Sequence, residues 1–257
     1  MPTLTSGMAE FAAEGCLVKP LFYNFIMDPK ATALNLLVER PVQREPDGWF
    51  HASQHPLAGE KDLYLWMTGQ LPPEQMGYVS LMSVMFGSLL HAPVEAFLDW
   101  MGASVPLPPG ECPACGRQRR PLRARPSSKY CTEHGFAHLA TRARCHLDAI
   151  LKFGDELYGF DFKSIYIYGF AKTKDRAAIR DMDAGQFRER WPGYWAQMQE
   201  CMRLSGLRKY IVMFLTMGNP WDTREFHFDF DPQFAADTEE KYRYVLDRVR
   251  REEPILI

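Results

Sequence analysis

The sequence predicts an α/β protein in which a mixed β-sheet is flanked by helices. Two extended segments joined by a turn, Arg142–Leu151 and Leu157–Ile167, are the first observation. A helix and two further extended segments follow, and an amphipathic helix closes the chain. With 257 residues, of which 46% are hydrophobic, the chain can bury a substantial core. A formal net charge of −2 argues against attraction to nucleic acid over the whole surface.

Helical signals precede the sheet. Asp62–Trp66 has the pattern of a helix that packs its aromatic side chains, and apolar residues recur at helical spacing from Val79 to Met101 before a stop at Gly102. The chain has no apolar run of the roughly 18 residues that a membrane span requires, and the N-terminus lacks the pattern of a secretory signal. We therefore expect a cytoplasmic protein that does not enter a membrane.

The central elements follow from local patterns. The paired segments are predicted to form a hairpin with its turn at Gly154–Asp155. Residues 187–205 form a predicted helix with an apolar stripe. The stripe consists of Trp191, Trp195, Met198 and Met202.

The last strands and helix are predicted on the same grounds. Tyr210–Met217 is predicted to be a buried strand, and Arg224–Phe230 alternates between two faces. The inner face would carry Phe226, Phe228 and Phe230, and the polar face Glu225, His227 and Asp229. Pro232–Glu253 is predicted to be an amphipathic helix.

An insertion rich in Pro, Gly, Cys and Arg interrupts the core pattern between Pro106 and Tyr130. Its two pairs of metal-binding residues, separated by fifteen residues, have the knuckle spacing of a zinc ribbon. The expected ligands of a structural Zn²⁺ are Cys112, Cys115, Cys131 and His134. Two alternatives stay open: Cys145 could be the fourth ligand, or the first pair could be free buried thiols.

The insertion also carries a basic run without an intervening acid, which can bind the phosphate backbone of DNA. Its members are Arg117, Arg119, Arg120, Arg123, Arg125 and Lys129. The alternative for any single member is a solvated loop position.

A carboxylate pair and a lysine indicate a catalytic site. Asp161 and Lys163 lie on one face of a predicted strand because side chains alternate along it. Asp148 lies on the preceding strand, so that the two carboxylates offer hard oxygen ligands for Mg²⁺ or Mn²⁺. The alternative is a solvated, salt-bridged strand face.

Four segments together resemble the PD-(D/E)XK nuclease superfamily, within it the RecB-like and CRISPR-associated exonuclease branch. These segments are Phe86–His91 with Glu95, His146–Leu151, Asp161–Ser164 and Tyr194–Gln199. The last is also similar to the glutamine helix of the lambda-exonuclease (YqaJ) relatives. The resemblance covers roughly residues 49–217. It departs from the family pattern where Cys201 stands in place of a tyrosine four residues after Gln197.

The resemblance implies a restriction-endonuclease-like core and a role for each motif residue. His91, Asp148 and Asp161 would bind Mg²⁺ or Mn²⁺, and Glu95 would be a further or water-mediated ligand. Lys163 and Gln197 would position the attacking water. The cysteines that hold an iron-sulfur cluster in some members are missing, so we expect no such cluster.

The expected organisation has four parts: an N-terminal segment of unknown role (1–48), a helical part of the nuclease domain (49–105), the zinc-ribbon-like insertion (106–138), and the nuclease core with the C-terminal helix (139–257). The implied function is a metal-dependent DNA exonuclease of phage or bacterial recombination or repair, which for a phage protein acts in the host cytoplasm. A structure-specific endonuclease and a non-catalytic zinc-ribbon DNA-binding protein are the alternatives. A homo-oligomer or a recombination partner protein is conceivable.

Overall fold

The computed structural model describes residues 17–18, 46–71, 90–91, 93–94, 96–120, 130–165, 179–216 and 223–255. The strands are β1 (Phe50–His51), β2 (Gln118–Arg119), β3 (Tyr130–Cys131), β4 (His134–His138), β5 (Ala143–Leu147), β6 (Ala149–Phe153), β7 (Glu156–Ile165), β8 (Lys209–Thr216) and β9 (Thr223–Asp229). The helices are α1 (Glu60–Met67), α2 (Ala184–Arg190), α3 (Pro192–Ser205) and α4 (Pro232–Arg250), with 3-10 turns at Leu139–Thr141 and Ile179–Asp181. Helical residues 90–91, 93–94 and 96–100 form the His91 helix. None of the described helices has the length and apolar composition of a membrane span.

The central sheet has four strands in the order β6-β7-β8-β9. It is mixed, because β7 and β8 run parallel while the outer pairs run antiparallel. Alternating side chains of β8 supply both faces: Val212 and Phe214 pack with α2 and α3, whereas Ile211 and Met213 pack with the His91 helix. The predicted α/β fold with a mixed sheet flanked by helices is therefore confirmed.

A second sheet of three strands, in the order β1-β5-β4, continues directly into the central one. The sequence pattern predicts a single strand over Arg142–Leu151, but β5 and β6 are separated at Asp148. The carboxylate of Asp148 accepts a hydrogen bond from Phe162 N at 2.7 Å. In a continuous ladder a backbone carbonyl would accept this hydrogen bond from β7, but here a side chain accepts it. The chain changes sheets at this residue.

The predicted helix over residues 187–205 is two helices that meet at Trp191. Trp191 has φ −130° and ψ 61°, outside the helical region, because the ring of the following Pro192 disfavours a helical conformation before it. Asp183 begins α2 with a capping box, in which its side chain accepts from Gln186 N and the Gln186 side chain accepts from Asp183 N. The break turns α3 so that its apolar face, which begins at Trp195, packs against the sheet.

Two other local predictions have different outcomes. The hairpin turn is confirmed, and Gly154 there has φ +62°, a left-handed conformation that favours glycine. The polar face assigned to the last strand is wrong at Glu225, which is only 5% exposed. Its carboxylate accepts hydrogen bonds from Leu17 N and Val18 N at 2.9 and 2.8 Å. Backbone donors from a distant segment, together with Nε2 of His227 at 2.6 Å, thus satisfy this buried side chain.

Candidate active site

Asp148 lies where the two sheets join and is held from two sides. Its Oδ2 accepts from Phe162 N, and its Oδ1 lies 3.1 Å from Nδ1 of His91. Burial opposes ionisation of this carboxyl, but the charge and hydrogen bond of His91 lower the pKa of Asp148 below its usual value. The His91 ring also packs edge-on against the Phe162 ring. The helix and the sheet thus fix one carboxylate and one imidazole together.

The Asp161 carboxylate, on β7, accepts hydrogen bonds from three side chains. Lys163 Nζ and Gln197 Nε2 donate to its Oδ2 at 2.8 and 3.0 Å, and Tyr210 Oη donates to its Oδ1 at 3.0 Å. Lys163 shares the face of β7 with Asp161, Gln197 comes from α3, and Tyr210 comes from β8. Because three elements contribute donors, the Asp161 carboxylate has a fixed orientation. It is also deeply buried, with only 2% of its surface exposed.

The charges of these groups are strongly linked. Burial raises the pKa of Asp161 above its usual value, and the charge of Asp148 acts in the same direction. The nearby Lys163 ammonium opposes this increase but does not cancel it. Burial disfavours the ammonium of Lys163, but Asp161 and Asp148 together outweigh it and raise the pKa of Lys163. Lys163 is therefore a cation at neutral pH. It can neutralise charge on a phosphate or orient a water, but it cannot accept a proton there.

The side chains open onto one pocket of about 150 Å³. Its lining includes Asp148, Asp161, Lys163 and Gln197, the four residues predicted to be catalytic. The structure thus brings together side chains that are separated by up to 49 positions in the sequence. Two carboxylates, a cation and an amide around a small polar pocket can hold a hard divalent cation beside a phosphate group.

Sequence reasoning missed three residues of this site: Glu133, Arg144 and Tyr210. The sequence pattern predicts only that Tyr210 begins a buried strand, but its hydroxyl group is a signal, because a buried hydroxyl needs a partner. Arg144 lines the pocket, donates to Ala114 O at 2.8 Å and pairs with Asp47. Of the predicted metal ligands, Glu95 lies outside the described residues.

A second candidate metal site consists of Cys112, Cys115, Cys131 and His146, whose ligand atoms all lie within 4.8 Å of one another. A tetrahedral zinc site with Zn–S bonds of about 2.3 Å places its sulfur atoms about 3.8 Å apart, so this donor set fits Zn²⁺. Burial opposes protonation of His146, but the three thiols raise its pKa to about 12. Although burial opposes ionisation, hydrogen bonds from His146 and Arg117 lower the pKa of Cys115 to about 5. Burial opposes ionisation of Cys112 too, but the hydrogen bond from His146 lowers its pKa, whereas burial raises the pKa of Cys131; thiolates are thus favoured at the first pair.

The structure places His146 among the three thiols and does not place the predicted fourth ligand, His134, there. In the antiparallel β4–β5 pair, Gly135 lies opposite His146 and His134 lies opposite Leu147. Because successive side chains point to opposite faces, His134 is on the face away from the thiols. Its Nε2–H donates instead to Val105 O at 3.1 Å.

The alternative fourth ligand, Cys145, is also excluded by the alternation along β5. Cys145 points into the main hydrophobic core, where its thiol is hydrogen-bonded to that of Cys201. The thiols of the first pair are not isolated buried groups either, because both lie in the four-residue cluster.

The backbone at Gly135 lies directly against the cysteine cluster. A Cβ at this position would overlap Cys112 Sγ and would lie 3.1 Å from His146 Cδ2. Only glycine leaves room for the sulfur beside the strand.

The basic residues of the insertion divide into two groups. Arg123, Arg125 and Lys129 lie outside the described residues. The described three contact the insertion itself: Arg117 Nε donates to Cys115 Sγ, Arg119 Nη2 to Gly135 O, and the Arg120 guanidinium stacks over the Tyr130 ring. DNA binding by this run remains a prediction.

No protein-family model matches the sequence, and no curated protein is significantly similar to it. Among solved structures, the chain is similar to an alkaline exonuclease, LHK-Exo, from Laribacter hongkongensis, with a TM-score of 0.45 and 13% identity over 80% of this chain and 89% of that one. The same enzyme in complex with dAMP gives a TM-score of 0.44, again with 13% identity and the same coverage.

Proposed function

We propose that this protein is a metal-dependent deoxyribonuclease that hydrolyses phosphodiester bonds of DNA from a free end. The observation that carries the proposal is the convergence on Asp161 of Lys163 Nζ and Gln197 Nε2, 2.8 and 3.0 Å from the same oxygen, beside the pocket that Asp148 also lines. The order of these residues along the chain resembles that of the PD-(D/E)XK nucleases, and the pocket supports their joint action.

The residues of the pocket fit a hard divalent cation. Asp148 and Asp161 would hold Mg²⁺ or Mn²⁺ through carboxylate oxygens, with His91 as a nitrogen ligand. Asp148 lies beside His91 and Asp161 beside Lys163, so a neutral His91 that served as a ligand would leave one carboxylate charge for the metal to balance. When bound, the metal would lower the pKa of a water and stabilise the charge that develops on the phosphate.

The protein side chains would bind the phosphate, orient the attacking water and position Asp161. Lys163 is charged at neutral pH and can bind a nonbridging phosphate oxygen. Gln197 donates one N–H to Asp161, and its carbonyl oxygen can accept a hydrogen bond from the attacking water. Tyr210 fixes the opposite oxygen of Asp161, so the carboxylate keeps one orientation while the reaction proceeds.

The proposed activity is tested by incubating the full chain with linear, nicked and covalently closed circular DNA in Mg²⁺ or Mn²⁺. We expect degradation of linear DNA by the unmodified chain and by Asp155→Ala, whose side chain lies at the exposed hairpin turn. Asp161→Ala and Lys163→Ala should be inactive. Cleavage of closed circles would identify an endonuclease instead. DNA binding without cleavage would support the non-catalytic alternative and contradict the proposal.

The cysteine cluster is proposed to hold one structural Zn²⁺, because four protein ligands leave no position for a reactive water. Elemental analysis of His146→Ala and His134→Ala tests the assignment. We expect about one zinc per chain in the unmodified protein and in the His134 variant, but a large loss in the His146 variant. Zinc loss confined to the His134 variant would contradict this ligand set.

A further inference from the structure

The strand register places a third carboxylate in line with the two of the candidate active site. Asp148 lies one position beyond the last pair of β6 and β7, and this position faces Asp161. It also lies one position beyond the last pair of β4 and β5, where His134 faces Leu147, so that the residue opposite it there is Glu133.

The side chain of Glu133 is directed to the same pocket. Glu133 lines the pocket together with Asp148 and Asp161, and its charge interacts most strongly with that of His146 and then with those of both carboxylates and of His91. Among the described residues its carboxylate has no hydrogen-bond or ion-pair partner. A partly buried carboxylate beside two others, without a donor of its own, is stabilised by a cation in the pocket.

The proposed zinc cluster restricts the position of this carboxylate. Glu133 stands two residues after Cys131, whose Sγ lies 3.5 Å from Glu133 O. On the other side, His134 is anchored to Val105 O. The knuckle therefore has little freedom to move Glu133 away from the pocket. His146, on β5, belongs to the thiol cluster and precedes Asp148 by two residues, and both line the pocket.

We propose that Glu133 is a ligand of the catalytic metal, direct or through a water, and that the zinc-bound insertion completes the active site instead of serving only as an attached module. This inference rests on the proposed nuclease function. A carboxylate oxygen is the donor type that Mg²⁺ and Mn²⁺ prefer. Glu133 before β4, Asp148 between β5 and β6, and Asp161 in β7 then each contribute one carboxylate to the pocket.

The test compares Glu133→Gln with Glu111→Gln in the full, zinc-loaded chain. Glu111 is an exposed glutamate of the same insertion and is the matched control. Binding of Mn²⁺ is followed by electron paramagnetic resonance of the free ion, without DNA. We expect Glu133→Gln to lower the Mn²⁺ affinity about 10- to 100-fold, the effect typical of groups that support a metal site. Zinc content should be unchanged, and Glu111→Gln should bind Mn²⁺ as the unmodified chain does.

A second variant separates the role of the knuckle from that of the carboxylate. Cys131→Ser should release the knuckle from the zinc cluster and lower the Mn²⁺ affinity even though Glu133 is retained. Equal Mn²⁺ affinity in Glu133→Gln and Glu111→Gln, or no Mn²⁺ binding by the unmodified chain, would overturn the inference. If the unmodified chain bound Mn²⁺ and the variants showed the expected affinities, but no DNA were cleaved, only the nuclease function would be overturned.

Discussion

Asp148 and Asp161 face each other across the start of β6 and the middle of β7, one register position beyond the Ala149–Phe160 pair. Like charges in opposed strand positions repel each other, and both carboxylates lie in a poorly hydrated environment. His91 pairs with the first and Lys163 with the second. The fold therefore holds two acids together at a cost in stability, which is typical of a site selected for function.

The ion pair of Lys163 should contribute measurably to stability. Lys163→Met leaves the buried Asp161 charge beside Asp148 without its cation, so we expect the free energy of unfolding to fall by about 3 kcal/mol. Adding Asp161→Asn removes the uncompensated charge and should restore part of this loss. Urea unfolding in buffer without added Mg²⁺ measures both effects.

A matched lysine on the same sheet serves as the control for this prediction. Lys209 pairs with Glu156 at an exposed position, so Lys209→Met should change the unfolding free energy little. Two lysine variants that destabilise the protein equally would show that the buried pair has no special role.

The hydroxyl of Tyr210 should matter for catalysis although the residue contacts no solvent. Tyr210→Phe keeps the ring but removes the donor to Asp161 Oδ1. Hydrogen bonds to charged groups contribute about 1.5–3 kcal/mol, so DNA cleavage should slow roughly 10- to 100-fold. Tyr158→Phe, which removes a donor to Glu156 instead, should leave the rate unchanged. A Tyr210→Phe rate equal to that of the unmodified chain would exclude this role.

Much of the fold could be predicted because the signals are local. Alternation identified β9, and apolar spacing identified the helix at Pro232–Arg250, since each pattern reflects burial of one face. The break at Trp191 was missed although its cause, the ring of Pro192, is visible in the sequence. The buried Glu225 was missed for a different reason: two of its partners, Leu17 N and Val18 N, are more than 200 residues away.

The candidate site shows the same division between local and distant information. Spacing within the chain predicted the three cysteines and the Asp161–Lys163 pair that the structure brings together. The choice between His134 and His146 depends instead on the register of β4 against β5, which decides the face of each side chain. Glu133 depends on that same register. No pattern within its own segment distinguishes it from other glutamates of the insertion.

The contact at Gly135 predicts a steric effect on zinc binding. Gly135→Ala would place a methyl group against Cys112 Sγ and His146 Cδ2, so the cluster must widen. We expect faster zinc release to a colorimetric chelator and a lower melting temperature. Gly193→Ala is the control, because a Cβ at that helical position meets nothing within 4 Å. Identical zinc release from the two variants would show that the cluster tolerates the added methyl group.

His134 predicts a loss of stability in mild acid. Burial lowers the pKa of His134 from 6.5 to about 4, with Arg119 contributing in the same direction against the hydrogen bond to Val105 O. Between these two values the unfolded chain binds a proton that the folded chain does not, so the stability that neutral His134 provides is present above pH 6.5 and is lost as the pH falls towards 4. For this residue the loss between pH 7 and pH 5 amounts to about 2 kcal/mol. His134→Gln keeps a donor for Val105 O but does not titrate, so urea unfolding at the two pH values should show a loss smaller by this amount. Equal losses in the two proteins would contradict the prediction, because protonation of the zinc ligands and of the other histidines affects both alike.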